Sequence, residues 1–463
     1  MVLPLDEKIK DFAATLGCPL YVVGGYVRNF ILNGAYGCEK TDVDLCSAMP
    51  QEEFLRKVRE FGFTVKAAYN RTGTVLFSWG DTDYEYTAFR RDSYFDGGFH
   101  KPKEVVYTDD VKEDYLRRDF KCNALYYDIT AEKVLDFCGG TDDIKNRVLS
   151  TVADAERTFS EDGLRLLRLA RFAGELGFSV SAEATAGARK YAANVKNVSA
   201  ERIYAELQRI LAADTKYTFS PEDGHYRALK VAAETGVFDQ IFPFLALGRG
   251  MSQRKDFHKY DVLEHSLRTV LYAPRQVRLA ALLHDAGKPY CKLNFSSYSG
   301  HQDAGAVIAK DVLQRLKTDK KTVAETCRLI KTHMFDIAGE NDEKNIRRFI
   351  VDNYDIYDKI LLIKQADFRA GLDSDGVCPT VKRLTETSER MVADGTPFSV
   401  RELNINATTL RDIGFNGKEI KEEQTKLFYA AVENPSLNVA ERLFEMAKAD
   451  FRKKRRQYEQ GRG

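Results

Sequence analysis

The amino-acid sequence predicts an α+β multidomain fold: a small mixed β-sheet unit followed by an all-α remainder. Three observations predict it. Strand-length runs rich in β-branched and aromatic residues crowd into residues 1 to about 150, separated by turns rich in Gly, Asp and Asn. After about 155 the apolar residues recur at helical spacing instead, with few strand signals. The 463 residues are also too many for one ordinary core, so about two to four domains are expected.

The strand-like runs are Leu20–Val23, Val43–Leu45, Thr74–Trp79, Tyr84–Phe89, Ala124–Tyr127 and Val134–Phe137. In the helical part, Leu164, Leu167, Leu169, Ala170, Ala173 and Leu176 keep helical spacing up to Gly177. Breaks fall at Ser220-Pro221, at Gly248–Met251 and in the Gly/Asp-containing stretch 371–380. The expected units are 1–150, 151–250, 251–375 and 376–463. A basic run, Phe451-Arg452-Lys453-Lys454-Arg455-Arg456, stands near the end. It reads as a solvated tail before it reads as a phosphate-backbone contact.

Hydrophobic content of 44% and aromatic content of 11% indicate a globular chain, not a disordered one. A net charge of +1 gives no global field for nucleic acid, although 70 Lys and Arg leave room for local basic patches. Cysteines 18, 38, 46, 122, 138, 291, 327 and 378 are scattered without a CxxC, which suits free thiols in a reducing cytosol. The N-terminal residues lack a signal-peptide pattern, and no apolar run approaches the roughly 18 residues of a membrane span. The expectation is a soluble cytoplasmic protein with no membrane partner. Nothing in the sequence sets an oligomeric state.

The chemistry starts at Tyr21-Val22-Val23-Gly24-Gly25-Tyr26-Val27-Arg28, a β-branched run, a glycine pair and a helix start. Bare glycines let backbone N–H groups approach a phosphate, and Arg28 lies about one helical turn on; an ordinary tight turn is the plainer reading. Next comes Thr41-Asp42-Val43-Asp44-Leu45. Residues i and i+2 of a strand share a face, so Asp42 and Asp44 would present paired hard oxygens, as Mg²⁺ holding a triphosphate requires. Glu85, in the alternating run Tyr84–Phe89, would supply a third carboxylate or simply face solvent. Arg117-Arg118-Asp119, with Asn123 four residues after Asp119, reads as a triphosphate and ribose contact set or as a surface ion pair. In Glu161-Asp162-Gly163-Leu164-Arg165-Leu166-Leu167-Arg168, Ser160 is the expected N-cap and the acids fall in the first turn. Asp162, Arg165 and Arg168 adjoin on one face. An Asp acceptor beside an Arg donor fork can read a base edge, selecting the exocyclic amino groups of C and A.

GGYVRN, TDVDL, RRDFKCNAL, EDGLRLLRLARF and AERIYAEL stand in the order and at roughly the distances of the class II CCA-adding enzymes. Over about residues 18–240 the chain thus resembles the bacterial tRNA nucleotidyltransferase and poly(A) polymerase family. The resemblance implies a nucleotidyltransferase head over 1–150, then helical neck and body (151–250), then tail, holding tRNA. It implies that Asp42 and Asp44 bind two Mg²⁺ ions, one activating the tRNA 3′-hydroxyl and one steadying pyrophosphate. By position Gly24, Gly25, Arg28 and Arg118 would meet the triphosphate, Asp162 and Arg165 the incoming base, and Arg168 and Arg171 would support the nucleotide. Asp119 and Asn123 would act near ribose and metal. Two residues depart from the pattern: Asn29 replaces an acid after Arg28, and Gly163 replaces Ala or Pro after Glu161-Asp162. Residues 90–103, with two glycines and several charges, stand where the family carries a flexible loop for the switch from C to A addition.

A second signature follows: Asp261-Val262-Leu263-Glu264-His265, Leu283-His284-Asp285-Ala286-Gly287-Lys288 and Lys364-Gln365-Ala366-Asp367. Six of the seven histidines fall between 225 and 333. Imidazoles and carboxylates from several helices make a mixed nitrogen and oxygen site for a divalent transition metal or Mg²⁺. The pattern resembles an HD phosphohydrolase domain over about 255–370, which implies His265, His284, Asp285 and Asp367 as ligands. His301 and His333 would complete a second metal site or be ordinary buried histidines. Lys288 would touch a phosphate or be a solvated turn lysine. An RNA-binding scaffold that keeps its ligands is the alternative to a phosphohydrolase acting on damaged tRNA ends.

The function expected is addition of C, C and A to tRNA 3′ ends from CTP and ATP. An A-adding enzyme or poly(A) polymerase shares the same motifs; no basic extension of the polymerase branch is present, which favours tRNA. An HD phosphohydrolase with a secondary RNA-binding head, and a non-catalytic tRNA binder, are readings of other classes. Intact Asp42 and Asp44 argue against a pure binder, which has no need to juxtapose two carboxylates.

Overall fold

The computed structural model describes residues 2–34, 42–70, 72–95 and 97–460. Thr41 of the paired-aspartate motif, Cys38 and Asp96 lie outside the described residues.

The strands up to residue 136 are β1 (Tyr21–Val23), β2 (Val43–Ser47), β3 (Thr64–Tyr69), β4 (Thr74–Trp79), β5 (Thr82–Ala88), β6 (Arg90–Ser93), β7 (Glu104–Tyr107), β8 (Leu125–Asp128) and β9 (Lys133–Asp136). Seven of them form one mixed sheet in the order β3-β4-β5-β2-β1-β8-β9. Its β2–β5 pair is parallel and the others antiparallel. Side-chain alternation divides the two faces. Val22, Leu45, Val75, Phe77, Tyr84, Tyr86 and Tyr127 point into the main core. That face is covered by helices Glu7–Thr15, Gly25–Asn33 and Gln51–Glu60 through Ile9, Phe12, Val27, Phe54 and Val58. Phe12 is fully buried, with Phe54, Phe61 and Phe63 ring centroids 5.6, 5.2 and 5.2 Å away. Truncating such a phenylalanine costs about 3–5 kcal/mol. The opposite face carries Tyr21, Val23, Cys46 and Tyr126 in a small cluster of its own, and beside them Asp44, Glu85 and Thr87. The charged residues are therefore on the face the helices leave uncovered.

The expected α+β class holds, with two additions. Strand β3 was not expected: its outward residues Thr64, Lys66 and Ala68 belong to an edge strand with little apolar alternation. Residues 90–103, read as a loop, begin with β6, which pairs with β7 as a two-stranded ribbon.

From residue 155 onward helices dominate. The expected Ser160 cap is corrected. Asp154 caps the helix Ala155–Glu161, Ser160 is inside it, and a new helix, Leu164–Leu176, starts after a break at Asp162-Gly163. Asp154 is the better cap because it accepts from both Glu156 N and Arg157 N, whereas Ser160 Oγ donates back to the Arg157 carbonyl. The main core continues from the sheet through this helix to Ala366. A second core joins Ile346, Ile350 and Tyr357 to Leu384, Met391, Leu410, Leu427 and Leu443. Arg278 binds both oxygens of Asp214 at 2.6 and 2.7 Å and ties the two helical regions together. The C-terminal basic run lies on the helix Ala440–Gln460. Seven cysteines are free thiols among the described residues, and none of the described helices is long and apolar enough to cross a membrane.

Candidate active site and metal centre

Strand β1 ends at Val23, opposite Asp44 of β2, and Asp44 is in turn opposite Glu85 of β5. Two carboxylates therefore stand side by side, with Asp42 two residues back at the mouth of β2. Gly24 turns the chain into the next helix with φ +79°, and a Cβ there would sit 3.3 Å from Asp44 Oδ2. Both the dihedral and the close approach call for glycine. Asp44 is open to solvent but stands on the floor of a cleft. Confinement there, the charges of Glu85 and Asp42, and the opposing pull of Arg118 leave its carboxyl at about 6. Glu85 is raised for the same reasons, first its loss of solvent and then Asp42. A site that raises neighbouring carboxylates in this way is short of positive charge, and hard oxygens so placed fit a divalent cation.

A cavity of about 530 Å³ opens here. Every residue nominated from the sequence in the head and neck lines it, except Glu85: Gly24, Gly25, Arg28, Asp42, Asp44, Arg118, Asp119, Asn123, Asp162, Arg165, Arg168 and Arg171. Glu85 lines a neighbouring cavity that shares Asp44.

Arg28 is 1% exposed. Its Nε and Nη2 donate to Asn29 Oδ1 at 3.1 and 2.8 Å, its Nη2 to Tyr217 Oη at 2.9 Å, and its Nη1 to Asn123 Oδ1. The side-chain amide of Asn29 thus takes the place of the family's carboxylate, at the cost of a buried Nδ2 with no partner. Arg118 is anchored from behind. Its Nε donates to Tyr126 Oη at 2.7 Å and its Nη2 to Asp114 Oδ2 at 3.0 Å, and Arg117 Nε donates to Asp114 Oδ1 at 2.8 Å. Burial works against the Asp114 charge, but Arg117, Arg118 and the Tyr126 hydroxyl outweigh it and hold the carboxyl at about 2. Asp114 was missed in the sequence; its signal is the i+3 and i+4 spacing to the two arginines.

Asp119 Oδ2 accepts from Arg168 Nε at 2.7 Å and Asp119 Oδ1 from Asn123 Nδ2 at 3.3 Å, so Asp119 holds Arg168 in place. Asp162 Oδ1 accepts from Leu164 N at 2.8 Å, and Arg165 Nε lies 3.9 Å from its other oxygen. Arg165 Nη2 donates to the Arg117 carbonyl at 2.7 Å. Arg171 donates to Glu206 at 2.7 Å and Glu175 at 3.0 Å. That explains the second glutamate of AERIYAEL, Glu206, which the sequence left without a role. His100 was also missed: its Nδ1 is 2.9 Å from Asp162 Oδ2, and Arg202 meets its other nitrogen. The segment bearing it is docked, with Gly163 N donating to Gly98 O at 2.8 Å and Asn197 Nδ2 to Gly97 O at 2.5 Å. This explains the departure at Gly163. A Cβ there would overlap the Asn194 carbonyl and lie 3.2 Å from Gly98 O.

The helical region brings together all six residues of the second signature. His265 Nε2 is 2.9 Å from Asp367 Oδ1, and His284 Nε2 is 3.2 Å from Asp285 Oδ2 and 3.5 Å from Asp367 Oδ1. His301 Nε2 is 3.3 Å from Asp285 Oδ1 and His333 Nε2 is 3.9 Å from it. The Nδ1–H of His284, His301 and His333 donates to the carbonyls of Ala281, Tyr298 and Ile330 at 2.7, 2.8 and 2.6 Å. Those bonds turn each Nε2 lone pair inward, the arrangement of metal-ligating histidines. His265 Nε2, His284 Nε2 and both Asp285 oxygens are buried without a hydrogen bond. Buried polar atoms converging unsatisfied fit a cation. Lys288 is not a solvated turn lysine: it is 6% exposed, 2.7 Å from Asp285 Oδ2 and from Gln253 Oε1.

Three family models match the chain. They are the Poly A polymerase head domain over residues 20–150, the probable RNA and SrmB- binding site of polymerase A over 177–247, and the HD domain over 262–361. A CCA-adding enzyme of Staphylococcus aureus (strain Newman) is 29% identical over 353 residues, covering 71% of this chain and 83% of the relative. Over these segments the chain is similar to the tRNA nucleotidyltransferase and poly(A) polymerase family. A CCA-adding enzyme of Geobacillus sp. (strain WCH70) is 34% identical over 227 residues, 48% of this chain and 50% of that one. The solved structure of the Bacillus stearothermophilus CCA-adding enzyme in complex with CTP shares the fold at TM-score 0.67 and 22% identity, covering 97% and 98% of the two chains. The Thermotoga maritima CCA-adding enzyme complexed with tRNA does so at TM-score 0.60 and 16% identity, covering 96% of each. Within the family frame, the cavity of the head and neck and the histidine–aspartate cluster are two separate chemical centres on one chain.

Proposed function

We propose that this chain adds C, C and A to the 3′ end of tRNA from CTP and ATP, without a nucleic-acid template. One observation carries the reading: a single cavity joins the Asp42 and Asp44 carboxylates to the Asp162–Arg165 pair. A transferase that chooses its own base needs both in reach of one nucleotide. The CCA-adding relatives support the same reading. In the reaction the tRNA 3′-hydroxyl oxygen bonds to the α-phosphorus. The bond from that phosphorus to the bridging oxygen breaks, pyrophosphate leaves with the electron pair, and the hydroxyl proton is released to solvent at the open cleft. Divalent cations, Mg²⁺ in our reading, would be held by Asp42 and Asp44 with Glu85 beside them, and would supply the charge that the phosphoryl transfer demands. Arg118, braced by Asp114 and Tyr126, and the buried charge of Arg28 under Gly25 provide fixed positive potential for the phosphates. Asp162 accepts from the exocyclic amino group of C or A, and Arg165 donates to a ring acceptor. Such a protein works in the cytoplasm, where tRNA and both triphosphates are.

The test is incubation of the purified protein with tRNA lacking CCA, in each nucleoside triphosphate and in mixtures, with products sized to one nucleotide. Addition that stops after three residues is expected. One added A, or a long A tail, overturns the reading in favour of an A-adding enzyme or poly(A) polymerase.

A second activity is favoured by the converging nitrogens of His265 and His284 and carboxylate oxygens of Asp285, buried without hydrogen bonds. With Asp367 they would hold a divalent transition metal or Mg²⁺, and with His301 and His333 a second one. We read this centre as a phosphohydrolase for phosphorylated RNA ends, with Lys288 beside the phosphate. Hydrolysis of a 2′,3′-cyclic phosphate or a phosphomonoester on RNA, lost in H284A and retained in D42A, tests it. Equal hydrolysis by wild type and H284A sinks it.

A further inference from the structure

The loop 250–261 runs beside the histidine–aspartate centre and is fastened along both flanks. It closes on itself: Gly250 N donates to Asp261 Oδ2 at 2.8 Å, and Gln253 Nε2 to the Tyr260 carbonyl at 3.3 Å. On one flank its Ser252 carbonyl accepts from Tyr298 Oη at 2.7 Å, and its Gln253 Oε1 from Lys288 Nζ at 2.7 Å. On the other, Lys259 N donates to the Gly371 carbonyl at 2.9 Å and Tyr260 Oη to Asp373 Oδ2 at 2.5 Å. The approach is close there, because a Cβ on Gly371 would stand 2.4 Å from the Phe257 carbonyl oxygen. These ties set His258 against the centre. Its ring is T-shaped to that of His265, the centroids 4.5 Å apart. Yet no protein group uses its polar edge. His258 Nδ1 is buried with no hydrogen bond, and Nε2, which is not enclosed, has no partner among the described residues either. Lys288 is also incompletely used: an ammonium has three N–H donors, and the structure gives this one two acceptors, Asp285 Oδ2 and Gln253 Oε1.

We propose that His258 is a further substrate-binding residue of the phosphohydrolase centre, and that its Nε2–H donates to an oxygen of the phosphate carried by the RNA end. The inference rests on the phosphohydrolase reading above. Lys288 stands against Asp285 and His258 against His265, and those two members of the ligand set are 3.5 Å apart. A phosphate seated over that edge meets both donors. Neutral imidazole with its proton on Nε2 and imidazolium both donate from that atom, so the bond needs no change of charge on the ring. A hydrogen bond to a charged oxygen is among the strong ones. The ties of the loop hold the ring in place and none of them consumes its donor, which is what a substrate contact requires. One loop thus arranges both donors, His258 directly and Lys288 through Gln253.

The test uses the full chain carrying its divalent metal, with inorganic phosphate as the probe in titration calorimetry. The phosphate binding that H284A abolishes is the part at this centre. H258A should weaken that part by about 10- to 100-fold, the worth of one hydrogen bond to a charged group. H258F keeps a ring beside His265 but has no N–H, and should bind phosphate as poorly as H258A. H258Q places an amide N–H near the position of Nε2 and should recover phosphate affinity to within about fivefold of wild type. Bound metal, counted by mass spectrometry, should be unchanged in all three, and so should nucleotide addition to tRNA. The kcat/KM for hydrolysis of a 2′,3′-cyclic phosphate on RNA should follow the phosphate affinities. H258F decides the matter if H258A melts early. Wild-type phosphate affinity in H258F, loss of metal from it, or no phosphate bound by the wild-type chain overturns the assignment. Phosphate bound by the wild type and weakened in H258F, without hydrolysis of any RNA phosphate, overturns the phosphohydrolase reading instead, so the two failures are distinguishable.

Discussion

N29D should stabilise this protein. Arg28 is 1% exposed and Asn29 is fully buried. The hydrogen-bond acceptors around Arg28 are Asn29 Oδ1, Asn123 Oδ1 and Tyr217 Oη, all neutral. The guanidinium charge is thus desolvated against neutral dipoles, and Asn29 Nδ2 is buried without a partner. N29D exchanges that orphan donor for an oxygen at nearly constant volume. An unmade buried hydrogen bond costs about 1–3 kcal/mol, and charge-assisted bonds are about twice as strong as neutral ones. Against this stands the desolvation of the new carboxylate, several kcal/mol for an isolated ion, offset by a counter-charge within 3 Å that is already buried. A net gain of about 1–2 kcal/mol follows, or about 2–8 °C for a unit the size of the head. Differential scanning calorimetry at pH 7 is the assay, with CTP and tRNA KM values as controls on Arg28 position. A head transition that stays put or falls would show that the amide solution is already as good as a carboxylate, and the argument about the unpartnered Nδ2 would be wrong.

D42A should abolish incorporation of both CMP and AMP while RNA-end hydrolysis continues, measured with labelled triphosphates; residual extension would refute the role of the head carboxylates. G163A should cost about 1–3 kcal/mol through overlap with the Asn194 carbonyl and release the segment around Gly98; limited proteolysis between residues 94 and 103 reads it, and unchanged protection refutes it. The Asp44 carboxyl titrates near 6 in the folded chain and near 4 when unfolded, so the metal-free fold holds the extra proton between them. Its contribution to stability is present below about 4 and lost as pH rises through about 6; D44N should flatten urea midpoints across that window, and an unaltered slope counts against the shift. Bound metal measured by mass spectrometry should fall in H284A and D367A but not in D42A once Mg²⁺ is dialysed away; equal loss in all three would place the tightly held metal elsewhere.

The head was legible because its strands alternate strongly. Val22, Leu45 and Tyr86 face one way while Val23, Asp44 and Glu85 face the other, so the carboxylate pair could be read from an i, i+2 spacing. Strand β3 escaped because an edge strand with exposed Lys66 and Ala68 has no apolar face to betray it. That Asp162 and Arg165 line one cavity was legible from their spacing, but the cap was not. Ser160 and Asp154 both suit an N-cap, and only the fold shows that Asp162-Gly163 breaks one helix into two. Asp114 left a local trace, its i+3 and i+4 spacing to Arg117 and Arg118, that the reading passed over; His100 and Glu206 left none. Those two act by holding another residue of the cavity, through contacts 62 and 35 residues apart in the chain, and nothing in the local pattern marks that. In the helical region, His301 and His333 could be either ligands or core residues on sequence grounds. Their inward Nε2 atoms, set by carbonyl bonds at Nδ1, are a property of packing alone.

Two ties join the helix Leu164–Leu176 to the segment 117–119: Arg165 Nη2 to the Arg117 carbonyl and Arg168 to Asp119. They are one helical turn apart, so that helix cannot slide or twist against Arg118, which lies between the two anchor points. Under the proposed function, base choice and phosphorus placement would then be a single length measurement, taken between Asp162 and Asp44. A base of the wrong pattern at one end would be punished at the other, because its α-phosphorus would be held away from the carboxylates. Fidelity in such a site is a matter of distance before it is a matter of affinity, and a mismatched triphosphate would occupy the cavity as an inhibitor without becoming a substrate.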